Sequence, residues 1–176
     1  MTGDHLRHCS PQPGAPSDTP LLSAEGVHHW YYSPERKSFV TALEDLSLSV
    51  GRGSFIALLG PSGCGKSTLL NMFAGLIAPS LGTVRHDGQV IVAPNTRAAY
   101  VTQNDSLLPW RRVAANVGLP LEVRRVPAAQ REQRVSQALA QVGLQGFERA
   151  FPSELSGGMR KRVGLARVLV TEPDLV

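Results

Sequence analysis

One nine-residue segment restricts the possible folds of this chain more than any other feature does. It reads Gly-Pro-Ser-Gly-Cys-Gly-Lys-Ser-Thr over Gly60–Thr68, called the phosphate loop below, and fits the pattern G-x-x-x-x-G-K-[ST]. A short apolar run, Ser54–Leu59, precedes it, and apolar residues at helical spacing follow it over Lys66–Leu76. Apolar runs of this kind are typical of buried parallel strands, so the segment predicts an α/β fold.

The residue types of the phosphate loop suit the binding of a phosphate chain. Glycines let main-chain N–H groups approach the phosphates without a clash from Cβ, and the start of a helix adds positive charge. We expect Lys66 to contact the β- and γ-phosphates and the Ser67 hydroxyl to bind Mg²⁺. The motif alone does not distinguish kinases, GTPases and motor ATPases. The predicted nucleotide-binding residues are Gly60, Pro61, Ser62, Gly63, Cys64, Gly65, Lys66, Ser67 and Thr68.

A second glycine-containing segment precedes another helical pattern, predicted over Ser156–Val170. Ser156 is a favourable N-cap residue, and Gly157 and Gly158 would expose main-chain N–H groups at the start of the helix. These features predict a second anion site. A loop that only leads into a helix is the alternative.

Together the two segments resemble the ATP-binding cassette (ABC) ATPases, whose signature reads LSGGQ or LSGGM. The resemblance covers nearly the whole chain after Leu21, although Lys161 stands where the family usually has Gln. It implies a cassette with an antiparallel β edge, a parallel core sheet and a helical subdomain, and it implies Mg-ATP hydrolysis at a dimer interface. In the family the signature acts on ATP held by a partner subunit, which assigns a role in trans to Leu155, Ser156, Gly157, Gly158 and Met159.

Two further roles are implied by the resemblance. The region of Gln103 is similar to the family's Q-loop, which makes Gln103 a catalytic residue beside Lys66, near Mg²⁺ and the attacking water. A polar residue that merely follows a strand is the alternative. The family also stacks an aromatic side chain on adenine, and Tyr31 aligns best with that role. Trp30, Tyr32 and a plain core or surface aromatic remain alternatives.

The segment Ser106–Arg111 is similar to importer ATPases for nitrate, sulfonate, taurine and related small solutes. In these relatives the region after the Q-loop contacts the membrane permease, which implies a peripheral location on the cytoplasmic face of the cell membrane. Packing of the tryptophan in the chain's own core is the alternative. The residues implied to contact the permease are Leu107, Leu108, Pro109 and Trp110.

Composition adds limits to these assignments. No apolar run approaches the roughly 18 residues that span a bilayer, and Met1–His5 lack the pattern of a secretory signal. The formal charge is +4, but the basic residues are scattered along the sequence, which argues against a nucleic-acid partner. Cys9 and Cys64 provide no disulfide framework.

The expected organisation is one partial domain after a tail. Residues 1–20 are rich in Pro, Ser, Gly and Asp and are predicted to be disordered, and residues 21–176 form the cassette with a helical subdomain at about 104–160. Other predicted elements are strands at Leu21–Trp30, Ala42–Val50 and Ala98–Thr102, a hairpin in Gly82–Val92 and a helix at Pro127–Val142.

Compared with the family, the sequence stops at Val176 before an expected Asp, a Glu and a later His. It is therefore interpreted as a C-terminally truncated cassette, and the chain alone is expected to be a poor ATPase. Two alternatives to an importer subunit are a non-catalytic remnant and a soluble ABC protein that has no membrane partner. A neighbouring permease gene would separate the importer from the soluble protein.

Overall fold

The computed structural model describes residues 19–102 and 106–176. The predicted tail therefore lies outside the described residues apart from its last two positions, and so does Gln103. The chain divides into two compact units, with the boundary between Thr96 and Arg97.

The first unit is built on a four-stranded antiparallel sheet with the order β2-β1-β3-β4. Apolar residues on its inner face are buried, and they support helix α1. The long pair β1–β2 confirms the two predicted strands, and the turn at Asp87-Gly88 joins β3 to β4 as predicted. The elements are β1 (Leu22–Ser33), β2 (Ser38–Val50), α1 (Lys66–Phe73), β3 (Leu81–His86) and β4 (Gln89–Val90).

Parallel pairing is much scarcer in the described residues than the sequence predicts. Ser54–Leu59 is not a strand, and its Phe55 and Leu59 side chains are 95% and 84% exposed. Of the predicted strand Ala98–Thr102, only a parallel bridge between Ala98 and Leu175 forms. A strand needs hydrogen-bonded neighbours on its edges, and the described residues supply none for Ser54–Leu59.

The second unit contains three helices around one apolar core. Helix α2 spans Val113–Val123, α3 spans Ala128–Gln141 and α4 spans Gly157–Leu169. The sequence predicts α3 and α4 but not α2, because Pro120 interrupts a helical pattern. Burial at a four-residue spacing stabilises α2 despite the proline, as its inner face shows at Val113, Val117 and Leu121.

Candidate functional site

The lysine of the phosphate loop contacts the loop itself. Lys66 Nζ donates to the carbonyl oxygens of Gly60 and Pro61 at 2.9 and 2.8 Å. It also lies 3.3 Å from Cys64 Sγ. The ammonium group is therefore held against the loop, within reach of any anion that the loop binds.

The loop ends in a backbone conformation that suits glycine. Gly65 has φ +91° and precedes α1, and a Cβ at this position would lie 2.4 Å from the carbonyl oxygen of Ala42. The N-cap residue Gly65 has no side chain to cap the first turn of α1, whose N–H groups and dipole favour an anion. Ser67 is exposed in this turn and Thr68 is buried. The start of α1 thus combines main-chain donors, an ammonium group and an exposed hydroxyl-bearing side chain.

The C-terminal end of α1 is held by Gly75, where the sequence predicts that the helix ends, and by contacts of Asn95 that sequence reasoning missed. Gly75 N and Leu76 N donate to Met72 O and Asn71 O at 2.9 and 2.8 Å, which is the Schellman pattern of a helix C-terminus. The next two carbonyl oxygens of the helix accept hydrogen bonds from a single residue, Asn95.

Asn95 connects the end of α1 to the sheet. Its main-chain N–H donates to Ala74 O at 2.9 Å, and its side-chain Nδ2 donates to Phe73 O at 3.1 Å. The same Nδ2 lies 2.8 Å from Nδ1 of His86, a buried residue of β3. Because these partners are distant from Asn95 in sequence, no local pattern indicates the contacts.

The three aromatic candidates for adenine stacking lie on two faces of β1. Tyr31 Oη is 3.3 Å from Thr68 Oγ1 in the first turn of α1, and the Tyr31 ring packs edge-on against His29. Trp30 and Tyr32 point to the opposite face, because side chains alternate along a strand. Of the three residues, Tyr31 is the one whose side chain reaches the helix that follows the phosphate loop.

The second glycine-containing segment begins α4 in the second unit. Ser156 is the N-cap residue, and its Oγ accepts a hydrogen bond from Met159 N at 3.2 Å. Leu155 is buried, whereas Ser156, Gly157 and Gly158 are exposed. A Cβ at Gly158 would meet no atom within 4 Å. The segment therefore offers an open helix N-terminus on the surface of its unit.

Trp110 does not lie in the core of the second unit, since its side chain is 71% exposed. Leu107 packs against the helical core and Leu108 is half-buried, whereas Pro109 is exposed like Trp110. The residue after Trp110, Arg111, forms a 2.7 Å ion pair with Glu122 near the end of α2. The hydrogen bond from Arg111 and then its charge lower the pKa of Glu122.

The described residues set limits on a metal and on a membrane span. Over residues 19–102 and 106–176, no group of three or more His, Cys, Asp or Glu side chains could hold a metal ion. In the same ranges no helix is long and apolar enough to cross a bilayer.

Sequence comparison gives matches over most of the chain. The family model described as ABC transporter matches residues 43–176. The taurine import ATP-binding protein TauB of Yersinia pestis is 45% identical over 135 residues, which are 77% of this chain and 53% of that protein. TauB of Rhizobium johnstonii is 47% identical over 137 residues, 78% of this chain and 52% of that protein. The chain thus spans about half the length of the curated relatives it matches.

Two solved structures have a similar fold. The dimeric ATP-binding cassette MJ0796, bound to ADP and Pi, has a TM-score of 0.75 and 30% identity over 87% of this chain and 71% of its own. The cbiO1 structure from Clostridium perfringens, part of the ABC transporter complex cbiONQ, has a TM-score of 0.77 and 28% identity. It matches 89% of this chain and 63% of its own.

Proposed function

Because the chain belongs to the ABC transporter family, we propose that it binds Mg-ATP and energises an importer for a small solute such as taurine, nitrate or sulfonate. The observation that carries the proposal is the phosphate loop, in which the Lys66 ammonium group contacts the Gly60 and Pro61 carbonyl oxygens at the N-terminus of α1. The similarity to TauB proteins supports taurine or a related solute as the cargo.

Each loop residue has a proposed part in binding. Lys66 turns from its loop carbonyls to the β- and γ-phosphates, and main-chain N–H groups of the loop contact the same oxygens. The Ser67 hydroxyl would hold Mg²⁺, which would supply positive charge to the phosphates. We assign Gln103 to orientation of the attacking water, on the resemblance alone. Hydrolysis depends on such positioning and on charge stabilisation rather than on covalent chemistry by the protein.

We further propose that two ATPase subunits act together. The exposed Ser156, Gly157 and Gly158 at the start of α4 present N–H groups that could contact the γ-phosphate of a nucleotide on the partner subunit. The dimeric MJ0796 structure with ADP and Pi supports this arrangement for a similar cassette. The location that follows is the cytoplasmic face of the cell membrane.

The adenine role of Tyr31 gives a prediction with an internal control. Tyr31→Ala should weaken ATP binding by the free energy of one stacking contact, which is about 1–3 kcal/mol for a nucleobase on an aromatic residue. It should leave inorganic triphosphate binding unchanged, because that ligand has no base. Tyr31→Phe should behave like the unmodified protein if the ring, rather than the Thr68 contact, provides the energy. Competition against a fluorescent ATP analogue measures all three.

Trp30→Ala and Tyr32→Ala are the matched controls for this prediction, since both residues lie beside Tyr31 on the other face of β1. Neither should weaken ATP binding. A selective loss with Trp30→Ala and none with Tyr31→Ala would assign adenine to Trp30.

Docking to the permease gives the test of the importer role. Truncation of Trp110 to Ala should weaken binding of this chain to the purified permease subunits of the importer in lipid nanodiscs by about thirtyfold, as for a central aromatic anchor. The control is Trp30→Ala, which removes the other tryptophan and should have no effect. Equal affinity of the Trp110→Ala variant and the unmodified chain for the permease would contradict the proposed docking role of Trp110.

A further inference from the structure

Ser80 extends the pairing between β1 and β3 by one residue through its side chain. Its main-chain N–H donates to His28 O at 2.9 Å, and its Oγ accepts a hydrogen bond from Trp30 N at 3.3 Å. The same Oγ lies 3.3 Å from His29 Nδ1. Because the Ser80 hydroxyl is itself held by the backbone of β1, the imidazole of His29 has an anchored partner.

The anchored imidazole lies against the ring of Tyr31, two positions further along β1. The two ring centroids are 4.5 Å apart and the ring planes meet at 80°, an edge-to-face arrangement that aromatic pairs favour. Tyr31 is nevertheless 45% exposed. An edge-to-face partner can cover only one face of the Tyr31 ring, so the contact is compatible with a base stacked on the other face.

The contact with His29 limits a rotation that the other polar contact of Tyr31 leaves free. Tyr31 Oη lies 3.3 Å from Thr68 Oγ1. The hydroxyl oxygen of a tyrosine lies on the axis about which its ring turns, so a partner at this atom fixes where the ring is but not the orientation of its plane. That torsion has broad energy minima in aromatic side chains. His29 packs against the ring itself and therefore restricts the plane.

We propose that His29, held by Ser80, is a positioning residue that sets the plane of the Tyr31 ring for an adenine base. Stacking requires the ring and the base to be parallel. A ring whose plane is already set loses less conformational freedom when the nucleotide binds, which favours affinity. The inference rests on the adenine role proposed above for Tyr31.

His29→Ala tests the proposal, because it removes the ring that contacts Tyr31. We expect ATP binding to weaken about threefold to tenfold, the range for one aromatic pair. Binding of inorganic triphosphate should not change, because that ligand has no base. In the Tyr31→Ala background, His29→Ala should cause no further loss. Competition against a fluorescent ATP analogue, whose own affinity is first determined for each variant, measures both ligands on the full chain.

Three further variants make the test specific. His29→Phe keeps an aromatic ring beside Tyr31 and should restore most of the ATP affinity. Ser80→Ala removes the hydroxyl group that holds His29 and should cause the same selective loss by about threefold. His28→Ala is the matched control, because the His28 ring stacks with Trp30 instead, at a centroid distance of 6.0 Å. It should change neither affinity.

The outcomes separate this inference from the adenine role. A loss of ATP binding with Tyr31→Ala but not with His29→Ala would overturn the inference and leave the adenine role intact. Equal losses of ATP and triphosphate binding with His29→Ala would also overturn it, because His29 would then act through the stability of the first unit. Unchanged ATP binding with Tyr31→Ala would overturn both.

Discussion

Replacement of Lys66 by Ala is expected to weaken ATP binding by tenfold or more. The substitution removes a charge-assisted contact, worth about 1.5–3 kcal/mol, from the β- and γ-phosphates. Because the contact involves the phosphates alone, inorganic triphosphate should weaken by the same factor as ATP. Equilibrium titration with a fluorescent ATP analogue, followed by competition with triphosphate, measures both effects.

Lys161→Ala is the matched control, because it removes an exposed lysine from α4 in the second unit. Its affinity for ATP as an isolated subunit should equal that of the unmodified chain. If Lys66→Ala bound ATP as tightly as the control does, the assignment of Gly60–Thr68 to the phosphates would be wrong.

Substitution of Gly75 by Ala is expected to destabilise the first unit by about 3 kcal/mol. Gly75 has φ +70°, which costs an L-residue roughly 1–2 kcal/mol. Its Cβ would also lie 2.1 Å from the carbonyl oxygen of Ala93, in the loop that holds the end of α1. Relief of this overlap must move main chain, at about 1–3 kcal/mol for an overpacked site. Urea unfolding, followed by far-ultraviolet circular dichroism, measures the free energy of unfolding.

Gly53→Ala separates the two contributions. Gly53 has the same φ, +70°, but a Cβ there meets no atom within 4 Å. It should therefore show the backbone cost alone, at about 1–2 kcal/mol. Equal losses for the two variants would mean that the loop around Ala93 is not packed on the helix end as described.

Features encoded by nearby residues could be predicted from the sequence. The spacing of Val135 and Leu139 predicts α3, and the Ser-Gly-Gly segment predicts the start of α4. The Asp87-Gly88 turn predicts the β3–β4 pairing. The phosphate loop carries its glycines and lysine in one continuous stretch, so the residue types and their spacing are enough to propose its role in binding.

Features that depend on distant partners could not be predicted in this way. The apolar run Ser54–Leu59 favours a strand, but the run alone does not show whether other strands pair with it. Pro120 interrupts the helical pattern of α2, so the sequence does not indicate this helix. Burial of its apolar face stabilises it. Asn95 bonds to the end of α1, which is distant in sequence, and Asn116 bonds to the turn that precedes α2. Neither asparagine lies in a sequence pattern that indicates these contacts.

The contacts of Lys66 within its own loop have a consequence for ligand selectivity. A bound nucleotide competes with the carbonyl oxygens of Gly60 and Pro61 for the ammonium group, so the net gain is a difference between two sets of hydrogen bonds. We expect a triphosphate to displace these carbonyl oxygens more readily than a monophosphate, which has less negative charge and no β- or γ-oxygens. Discrimination in favour of ATP over AMP would therefore begin with contacts that the loop makes to itself.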